Sequence, residues 1–290
     1  MNAFIKVAES SSFSQAATQL GVGSGAVTRS ISSLERRLGV KLMERTTRRI
    51  SLTPAGEAYL ECCKNVLGMI ETAEYEIGGH AIELNGVIRV GLSNLHGNRL
   101  FGPLLTKFAK INPGIKFDIT YFDLYNHFTS SELDIAFLIT DEKRKLPGSL
   151  SLGMIQMRPL ASPDYLSRYG KVIHPGELFR HRCLNLSPQP SKPVWQFVEN
   201  GLVTDYVVNA CLNTRNGDGL LQVALDGLGV ACLPAEIAGA HLKSGALETV
   251  LDEFPMVPLE ACIALAPSKL ASHRTKALVA FASTEFASLP

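Results

Sequence analysis

The sequence predicts a chain of three parts: short helices at the N-terminus, one long helix, and a larger α/β region. Three observations carry this prediction. Residues 1–53 contain apolar residues at spacings of three and four, interrupted by Gly21 and Gly39. Residues 54–80 continue that spacing without a break. From Gly86 onward, apolar runs alternate with amphipathic segments, which favours strands alternating with helices in a doubly wound, mostly parallel sheet.

The composition is that of a folded protein with two or three compact units. The chain has 290 residues, of which 46% are hydrophobic and 19% are charged, a balance unlike that of disordered chains. It has no basic start followed by a long apolar run and no stretch of about 18 apolar residues. We therefore expect a cytoplasmic protein with no signal peptide and no membrane partner.

The charges are distributed unevenly along the chain. Residues 1–53 hold eight Lys and Arg against three Asp and Glu, whereas residues 54–85 hold one Lys against six Glu. A basic block at one end is typical of a protein that binds nucleic acid. Chance clustering of solvated charges explains the same pattern, and charge alone does not separate the two explanations.

Motifs for catalysis, metals and cofactors are missing from the sequence. The seven histidines are scattered without metal-ligand spacing, and no nucleophile elbow or phosphate-binding glycine loop is present. We expect no enzymatic activity, no metal and no cofactor. The six cysteines form no CxxC pair and mostly lie in apolar runs, which favours buried, inert thiols. The alternative is a redox pair of Cys211 and Cys232, which requires a fold that brings them together.

The first 39 residues predict three short helices. The second runs over 13–20, with Ser14 as its N-cap and Gly21 as its end, and Val22 lies under the crossing with the next helix. The apolar faces of the first and third helices are formed by Phe4, Ile5, Val7 and Ala8, and by Ala26, Val27, Ile31, Leu34 and Leu38. Two short helices joined by a glycine-containing turn are typical of a helix-turn-helix.

The third helix is the candidate recognition helix. In a helix-turn-helix, the second helix of the pair enters the major groove of DNA with its first residues on the base edges. Those residues here are Ser24, Gly25, Val27, Thr28 and Arg29. Hydroxyl groups bind bases or phosphates, and arginine makes bidentate contacts with guanine.

A basic hairpin is predicted after Gly39. Ile50 and Leu52 alternate with polar residues, as in a strand, and the polar run before them forms the tip. The tip residues are Arg45, Thr46, Thr47, Arg48 and Arg49. A surface loop with solvated arginines is the simpler explanation, but beside a helix-turn-helix we favour a wing that contacts phosphates or the minor groove.

A long helix begins at Thr53-Pro54, because threonine is a good N-cap and proline is favoured at the first helical position. Apolar residues recur along it at heptad spacing, at Tyr59, Cys62, Val66, Met69 and Ala73. This seam fits a two-chain coil, and it also fits packing on the first domain.

The remaining residues read as repeated strand and helix. Predicted strands cover 87–92, 115–122, 133–139 and 230–233, and 154–163 is a crossover strand. Predicted helices lie over 100–111, 219–228 and 273–286. Sheets of this kind bind ligands beyond the carboxyl ends of their strands.

The chain resembles the LysR-type transcriptional regulators over nearly its whole length. Two stretches resemble the helix-turn-helix and wing of that family: FSQAATQLGVGSGAVTRSISSLERRLG over 13–39 and LMERTTRRISLTPAGE over 42–57. Two weaker motifs resemble its effector domain: LASPDYL over 160–166 and GLGVACLP over 227–234.

The resemblance implies a winged helix-turn-helix DNA-binding domain over 1–53, a linker and dimerisation helix with hinge over 54–85, and an effector-binding domain over 86–290. The last is an α/β domain of two lobes, similar to periplasmic binding proteins, with lobe I near 86–157 and 258–290 and lobe II near 158–257. The implied function is a sequence-specific regulator controlled by a small molecule held between the lobes. The implied partners are double-stranded DNA with an interrupted dyad operator, a second copy in a dimer or tetramer, and RNA polymerase, at the nucleoid.

Three features depart from the family pattern. The family usually has several residues before the one that matches Met1. Gly23 stands where the family usually has Ser or a similar cap, and Ser24 and Gly25 stand where Gln or Pro and Ser are frequent. Glycines disfavour helix and remove base-reading side chains. The departures motivate an alternative function, a small-molecule-binding module with impaired or lost DNA binding. Salt-dependent DNA affinity separates the two.

Two loops are candidates for the effector site. One is Ser93-Asn94-Leu95-His96, between a strand and a helix, and the other is Asn216-Gly217-Asp218, before a helix. Helix N-termini present N–H groups that suit a carboxylate or a polar molecule, and Thr140 after another strand can line the same cleft. Helix capping explains Ser93, Asn94, Asn216 and Asp218 without any ligand.

Overall fold

In the computed structural model, the described residues are 1–45, 50–78, 83–94, 96–122, 133–141, 146, 148–186, 193–265 and 272–287. They form two compact units, one helical and one α/β. Along the chain, the first unit is followed by the second between residues 78 and 83. Among these residues, no helix is long and apolar enough to cross a membrane. The same residues contain no cluster of three or more His, Cys, Asp or Glu able to hold a metal ion.

The first unit begins with the three predicted helices, α1 (Asn2–Ser10), α2 (Phe13–Leu20) and α3 (Ser24–Leu38). The N-cap of α2 is Ser12, whose Oγ accepts a hydrogen bond from the Gln15 N–H at 3.3 Å. The assignment of the cap to Ser14 was wrong, because α2 starts at Phe13 and its N-cap lies two residues before Ser14. Gly21 and Gly39 take left-handed φ values of 65° and 69° and end α2 and α3 as expected.

The three helices share one core. Its fully buried members come from all three helices and from the segment after them: Phe4, Val7, Ala16, Ala17, Val27, Ile31, Leu34, Leu42 and Met43. Val22 is 47% exposed, so its placement under the helix crossing was wrong. The small side chains of Ala16 and Ala17 let α2 approach α3 without it.

A two-stranded hairpin and a long helix complete the unit. Strands β1 (Met43–Arg45) and β2 (Ile50–Leu52) pair antiparallel, and helix α4 spans Pro54–Gly78. Thr53 caps α4 as predicted, since its Oγ1 accepts the Gly56 N–H at 3.0 Å and donates to the Lys41 carbonyl at 2.7 Å. Gly56 is required here, because a Cβ would lie 1.9 Å from the Leu42 carbonyl oxygen.

The second unit contains two five-stranded sheets with helices against them. The first sheet has the order β4-β3-β5-β14-β6 and the second β11-β8-β12-β7-β13. The strands of the first sheet are β3 (Gly86–Ser93), β4 (Ile115–Phe122), β5 (Ile135–Thr140), β6 (Leu150–Ile155) and β14 (Leu259–Leu265). Those of the second are β7 (Met157–Ala161), β8 (Cys183–Leu186), β11 (Ala210–Thr214), β12 (Val230–Pro234) and β13 (Glu248–Thr249). The two sheets form the cores of the two lobes.

Five helices accompany these sheets in sequence: α5 (Gly97–Ile111), α6 (Pro163–Tyr169), α7 (Gly217–Leu225), α8 (Ala235–Lys243) and α9 (His273–Ala287). Leu100, Phe101 and Phe108 of α5 are buried against the first sheet. Leu220 and Leu221 of α7 are buried against the second. The amphipathic pattern thus predicted α5 correctly, while α7 begins at Gly217, two residues before the predicted start at 219.

The sheets are mixed, so the expectation of mostly parallel strands was wrong. β3 pairs parallel with β4 and β5, but β14 is antiparallel to both β5 and β6. In the second lobe β8 pairs parallel with β11 and β12, whereas β7 is antiparallel to β12 and β13. The reason is the path of the chain, which passes from β6 to β7 through Gln156 alone and returns to the first sheet only at β14.

A separate hairpin of β9 (Val194–Glu199) and β10 (Leu202–Val207) was not predicted. Its turn contains Asn200 and Gly201 at φ values of 51° and 79°. An Asn-Gly pair between two alternating runs is a strong hairpin signal, and it is present in the sequence.

Candidate DNA-binding and effector-binding sites

Four of the five predicted DNA-contacting residues of α3 lie on its accessible face. Ser24, Gly25 and Arg29 are exposed, and Thr28 is half-buried. The N-cap Gly23 supplies no side-chain acceptor to the first turn of the helix. The start of α3 therefore presents the Ser24 and Gly25 amides and the positive end of the helix dipole without a side-chain cap, while the Ala26 N–H donates to the Gly23 carbonyl at 2.9 Å.

Val27 does not belong to this face. Its side chain is 1% exposed and lies in the core of the unit, so its assignment as a DNA contact was wrong. The helical period explains this, because Val27 lies four residues before Ile31, which is buried on the same side. Two exposed residues that the sequence analysis missed, Ser33 and Arg36, follow Arg29 at spacings of four and three and share its face.

Glu35 ties α3 to the first strand of the hairpin. Its carboxylate is 4% exposed and accepts the Leu42 and Met43 N–H groups at 2.9 and 3.2 Å, together with Lys41 Nζ at 2.9 Å. Burial alone raises the pKa of this carboxyl, but the hydrogen bonds from Lys41, Leu42 and Met43 outweigh it and lower the pKa below its ordinary value. Helix α3 and the base of the hairpin are therefore fixed relative to each other. Glu35 was not among the residues predicted from the sequence.

The tip of the hairpin falls largely outside the described residues. Arg45 is the last residue of β1, but its side chain is not described. The other tip residues, Thr46, Thr47, Arg48 and Arg49, lie outside the described residues. What the structure gives is the antiparallel base, with Met43 opposite Leu52 and Arg45 opposite Ile50, which confirms the two-stranded form of the predicted hairpin.

The predicted seam of α4 divides into two parts. Cys62, Val66, Met69 and Ala73 are exposed along the helix, with Met69 at 54%. Tyr59 packs instead against Phe4 of α1, with ring centroids 5.4 Å apart in an edge-on arrangement. Its assignment to the dimer seam was wrong, because the first turns of α4 serve as a wall of the helical core.

Four of the predicted effector residues come together around one cavity of about 310 Å³. Ser93 and Asn94 line it from the end of β3, and Asn216 and Asp218 line it from the start of α7. The cavity therefore lies between the two lobes, at the carboxyl end of β3. Ligands of such α/β sheets bind at the carboxyl ends of the strands.

Three lining residues were missed by the sequence analysis: Gly97, Asn98 and Tyr121. Tyr121 Oη donates a hydrogen bond to Asn98 Oδ1 at 2.9 Å. Tyr121 stands opposite Leu92 in the parallel pairing of β4 with β3, so both strands end at the same edge. Because ligands bind beyond the carboxyl ends of such strands, the residues near the end of the predicted strand 115–122 could have been selected from the sequence.

The remaining predicted residues do not line this cavity. Thr140 is 3% exposed, and its hydroxyl donates to the Asp141 carbonyl at 3.1 Å, so it serves the turn after β5. His96 and Gly217 lie buried beside the cavity. Leu95 lies outside the described residues.

His96 is a buried, neutral histidine with a left-handed backbone at φ 61°. Its ring is 2% exposed, and neither ring nitrogen has a hydrogen-bond partner among the described residues. Burial, assisted by the charge of Arg99, lowers the pKa of His96 to about 4. The ring presses on Gly217, where an added Cβ would lie 2.5 Å from His96 Nδ1. Only glycine fits at this point of contact between the lobes.

Two further contacts join the lobes at the same place. The Gly217 N–H donates to the Asn94 carbonyl at 3.0 Å. Asp218 Oδ1 lies 3.2 Å from Arg99 Nε, a charge contact that lacks the alignment of a hydrogen bond. The capping explanation holds for Asn216, whose Oδ1 accepts the Asp218 and Gly219 N–H groups at 2.9 and 3.2 Å. The N–H groups of Gly217, Asp218 and Gly219 in the first turn of α7 are therefore all hydrogen-bonded within the chain.

The cysteines show no disulfide among the described residues. Cys211 and Cys232 lie on β11 and β12, which are separated by β8. Two strand spacings are about 10 Å, beyond the roughly 7 Å limit between the Cα atoms of a disulfide. Burial raises the pKa of the Cys232 thiol to about 12, and its sulfur lies 3.1 Å from Met256 Sδ. The condition for the redox pair is therefore not met.

Comparison with known families shows to which family this chain belongs. The profile of the bacterial regulatory helix-turn-helix of the LysR family matches residues 1–57, and that of the LysR substrate binding domain matches residues 81–287. The chain belongs to the LysR family of bacterial transcriptional regulators. The resemblance noted from the motifs over 13–39 and 42–57 is thus confirmed.

Individual relatives agree with the family assignment. An HTH-type transcriptional regulator of Xanthomonas campestris is 30% identical over 285 residues, which cover 97% of this chain and 83% of that protein. The regulator CrgA of Neisseria meningitidis is 31% identical over 254 residues, covering 87% and 84%.

Solved structures agree as well. The structure of CrgA, a LysR-type regulator from the same organism, superposes with a TM-score of 0.64 and 28% identity over 98% of this chain and 97% of that one. The full-length virulence activator AphB of Vibrio cholerae has a TM-score of 0.60 at 21% identity over 98% of both chains, which supports the fold.

As a LysR-type transcriptional regulator, the chain combines a DNA-binding helix-turn-helix with a two-lobed effector-binding domain. The predicted fold class is confirmed by the match to these full-length structures. LysR-type regulators bind DNA through the helix-turn-helix, bind small-molecule effectors in the substrate-binding domain and form oligomers.

Proposed function

We propose that α3 enters the major groove of an operator, with Ser24, Gly25, Thr28 and Arg29 facing the DNA. The exposure of these residues and the uncapped start of α3 carry this proposal. The arginine reads a base edge, and the open backbone amides of the first turn bind a phosphate. The hairpin residues Arg45–Arg49 act as a wing on the adjoining phosphates or minor groove. We also assign Ser33 and Arg36 to the contact surface, since they share the face of Arg29.

Arg29→Ala tests the base-reading role. We expect a loss of about 1–3 kcal/mol in affinity for the operator, roughly ten- to more than a hundredfold, with a smaller loss on a scrambled duplex. Fluorescence anisotropy at two salt concentrations measures both. The matched control is Arg158→Ala, which removes an exposed arginine from β7 of the α/β unit and should leave DNA binding unchanged.

An equal loss on both duplexes would mean that Arg29 contacts only phosphate. Absence of salt-dependent DNA binding by the wild-type chain would contradict the DNA-contact proposal and favour the ligand-binding module.

The exposed stripe on α4 is proposed as the dimerisation surface. Its members are Cys62, Val66, Met69 and Ala73, and Ile70 and Ile77 extend it at 46% and 89% exposure. Apolar side chains on a soluble helix at heptad spacing gain stability by facing a second copy of the same helix. A two-fold dimer then reads two half-sites, which suits an interrupted dyad operator in double-stranded DNA. Both a dimer and a tetramer are built on this surface.

Met69→Glu tests this surface, because it places a charge in the middle of the stripe. We expect sedimentation velocity to show the oligomer dissociating at concentrations where the wild-type chain remains associated. Glu57→Gln, in the first turn of α4, is the control and should not change the oligomeric state. An unaltered oligomer for Met69→Glu would contradict the assignment.

The cavity lined by Ser93, Asn94, Asn216 and Asp218 is proposed as the effector site. It lies between lobe I, near 86–157 and 258–290, and lobe II, near 158–257. Residues 1–53 then form the DNA-binding domain, and 54–85 the linker helix and hinge. A ligand that contacts both lobes favours the arrangement of the lobes to which it binds better. This shift between arrangements couples the small molecule to DNA binding. RNA polymerase is the partner that such a regulator recruits or blocks, in the cytoplasm at the nucleoid. No cofactor or catalysis takes part.

A further inference from the structure

The proposed effector cavity is lined almost wholly by uncharged polar groups. Ser93, Asn94, Asn98, Tyr121 and Asn216 contribute hydroxyl and amide groups, and among the described lining residues the one charged side chain is a carboxylate, Asp218. At about 310 Å³ the cavity has room for about ten water molecules at roughly 30 Å³ each, so the ligand it fits is small.

Among the described residues that line the cavity, none is a cation. Arg99 does not line the cavity, and its guanidinium lies 3.2 Å from Asp218, where it balances that carboxylate. His96 lies next to the lining residues, but its burial keeps it neutral above a pKa of about 4. Among the described residues, an anion entering the cavity would therefore have to compete with Asp218 for Arg99.

The start of α7 is also closed to anions. A helix N-terminus binds an anion through the N–H groups of its first turn. Here the Gly217 N–H donates to the Asn94 carbonyl, and the Asp218 and Gly219 N–H groups donate to Asn216 Oδ1. All three amides are occupied within the chain, and Asp218 in the same turn already interacts with the dipole.

We propose that the effector of this regulator is a small uncharged polar molecule, carrying hydroxyl or amide groups and no carboxylate or phosphate. This inference rests on the proposed function of the cavity. The neutral lining binds such a ligand through paired donors and acceptors, since the amide of Asn98 offers both and the Tyr121 oxygen accepts. Its specificity against the corresponding acid arises from Asp218, because two carboxylates would share one partly buried site.

The test uses the full-length chain and metabolites of the bacterium that encodes it. A small-molecule extract is separated by ion exchange into neutral, anionic and cationic fractions, and each fraction is added to the protein in a thermal unfolding assay. We expect the neutral fraction to raise the unfolding temperature and to change the affinity for operator DNA, while the anionic and cationic fractions do neither.

Two variants locate the effect. Asp218→Asn removes the carboxylate that is paired with Arg99, so the anionic fraction should gain a thermal shift that the wild-type chain lacks. Asp226→Asn, at the C-cap of the same helix and outside the cavity, is the matched control and should respond as the wild type does.

The outcomes distinguish an error in the chemical class of the effector from an error in the proposal that the chain senses an effector. A wild-type response to the anionic or cationic fraction alone overturns the proposed chemical class but leaves the effector site standing. No response to any fraction contradicts effector sensing itself, and with it the inference. A neutral-fraction response that is unchanged in Ser93→Ala and in Asn98→Ala would move the ligand away from this cavity and overturn the inference as well.

Discussion

Helices α3 and α7 both begin in glycine-containing turns, but their first amides meet different partners. α3 starts at the N-cap Gly23, which provides no side-chain hydrogen bond, and no heavy atom lies within 4 Å of the position where its Cβ would stand. α7 starts at Asn216, whose side chain accepts two N–H groups, and Gly217 is held against His96. Two helix starts that read alike in the sequence are therefore open in one unit and closed in the other. The open start suits the phosphates of DNA, and the closed start favours an uncharged ligand.

The largest expected effect concerns His96, whose ring packs against Gly217 at the start of α7. Its folded pKa of about 4 lies below the ordinary 6.5, so between these values the unfolded chain binds the proton more readily. Stability is therefore full above about pH 6.5 and falls as the pH drops towards 4, by about 3 kcal/mol at most.

His96→Asn tests this pH dependence, since asparagine tolerates the left-handed backbone but does not titrate in that range. Denaturant unfolding between pH 4 and 7 should show a smaller loss of stability for the variant than for the wild type. Parallel pH profiles of the two proteins would contradict the burial of a neutral histidine at this contact.

A smaller effect is expected from Asn216→Ala, which opens the start of α7. The loss of a side-chain cap costs about 1 kcal/mol. The two freed N–H groups should also bind an anion, so sulfate should stabilise the variant more than it stabilises the wild type. The measurement is thermal unfolding with increasing sulfate.

Ser162→Ala is the control for this prediction, because it removes the N-cap of α6, where Ser162 accepts the Tyr165 N–H, away from the cavity. It should cost a similar amount and gain no additional sulfate response, because the one N–H group that it frees is buried, whereas the two freed by Asn216→Ala are exposed. If Asn216→Ala and Ser162→Ala responded to sulfate equally, the contrast between the two helix starts would be lost.

The smallest effect is expected from Gly23→Ser, which closes the start of α3. Gly23 has an extended backbone with φ −72° and ψ 145° and open space at its Cβ, so serine fits and can accept an N–H group. The gain over glycine is a few tenths of a kcal/mol in the stability of the helical unit. Affinity for DNA should fall at the same time, because the serine competes with phosphate for the amide.

Gly23→Ala adds the Cβ without an acceptor, so it controls for the backbone. Thermal unfolding and anisotropy on one operator duplex measure both variants. An increase in DNA affinity for Gly23→Ser would show that the cap orders α3 more than it blocks it, contrary to this account.

The helical unit was largely predictable from sequence because its signals are local. The apolar spacing in α1 to α3, the left-handed glycines 21 and 39, and the Thr53-Pro54 start of α4 all act within a few residues. Of the errors among the predicted site residues of this unit, one went against the local helical period and the other was decided by tertiary packing. Val27 was counted as a DNA contact although the helical period turns it towards Ile31, and Tyr59 was counted in the seam although Phe4 covers it.

The effector cavity was only half predictable, because residues far apart in sequence form it. Ser93 and Asn216 could be chosen since both precede helices, but Tyr121 required knowledge that β4 pairs parallel with β3. The pairing of Arg99 with Asp218 joins two lobes and has no local signal. The return of the chain through β14, which makes the first sheet mixed, is likewise a property of the whole topology.

The central claim is that this LysR-type regulator reads operator DNA through the open start and exposed face of α3. The most direct measurement is to incubate the purified chain with fragmented genomic DNA of its host and to sequence the retained fragments, in parallel with Arg29→Ala. The account predicts that the wild type enriches an interrupted dyad upstream of particular genes and that Arg29→Ala weakens or broadens this enrichment. Retention of fragments without a common sequence, equal in both proteins, would contradict it.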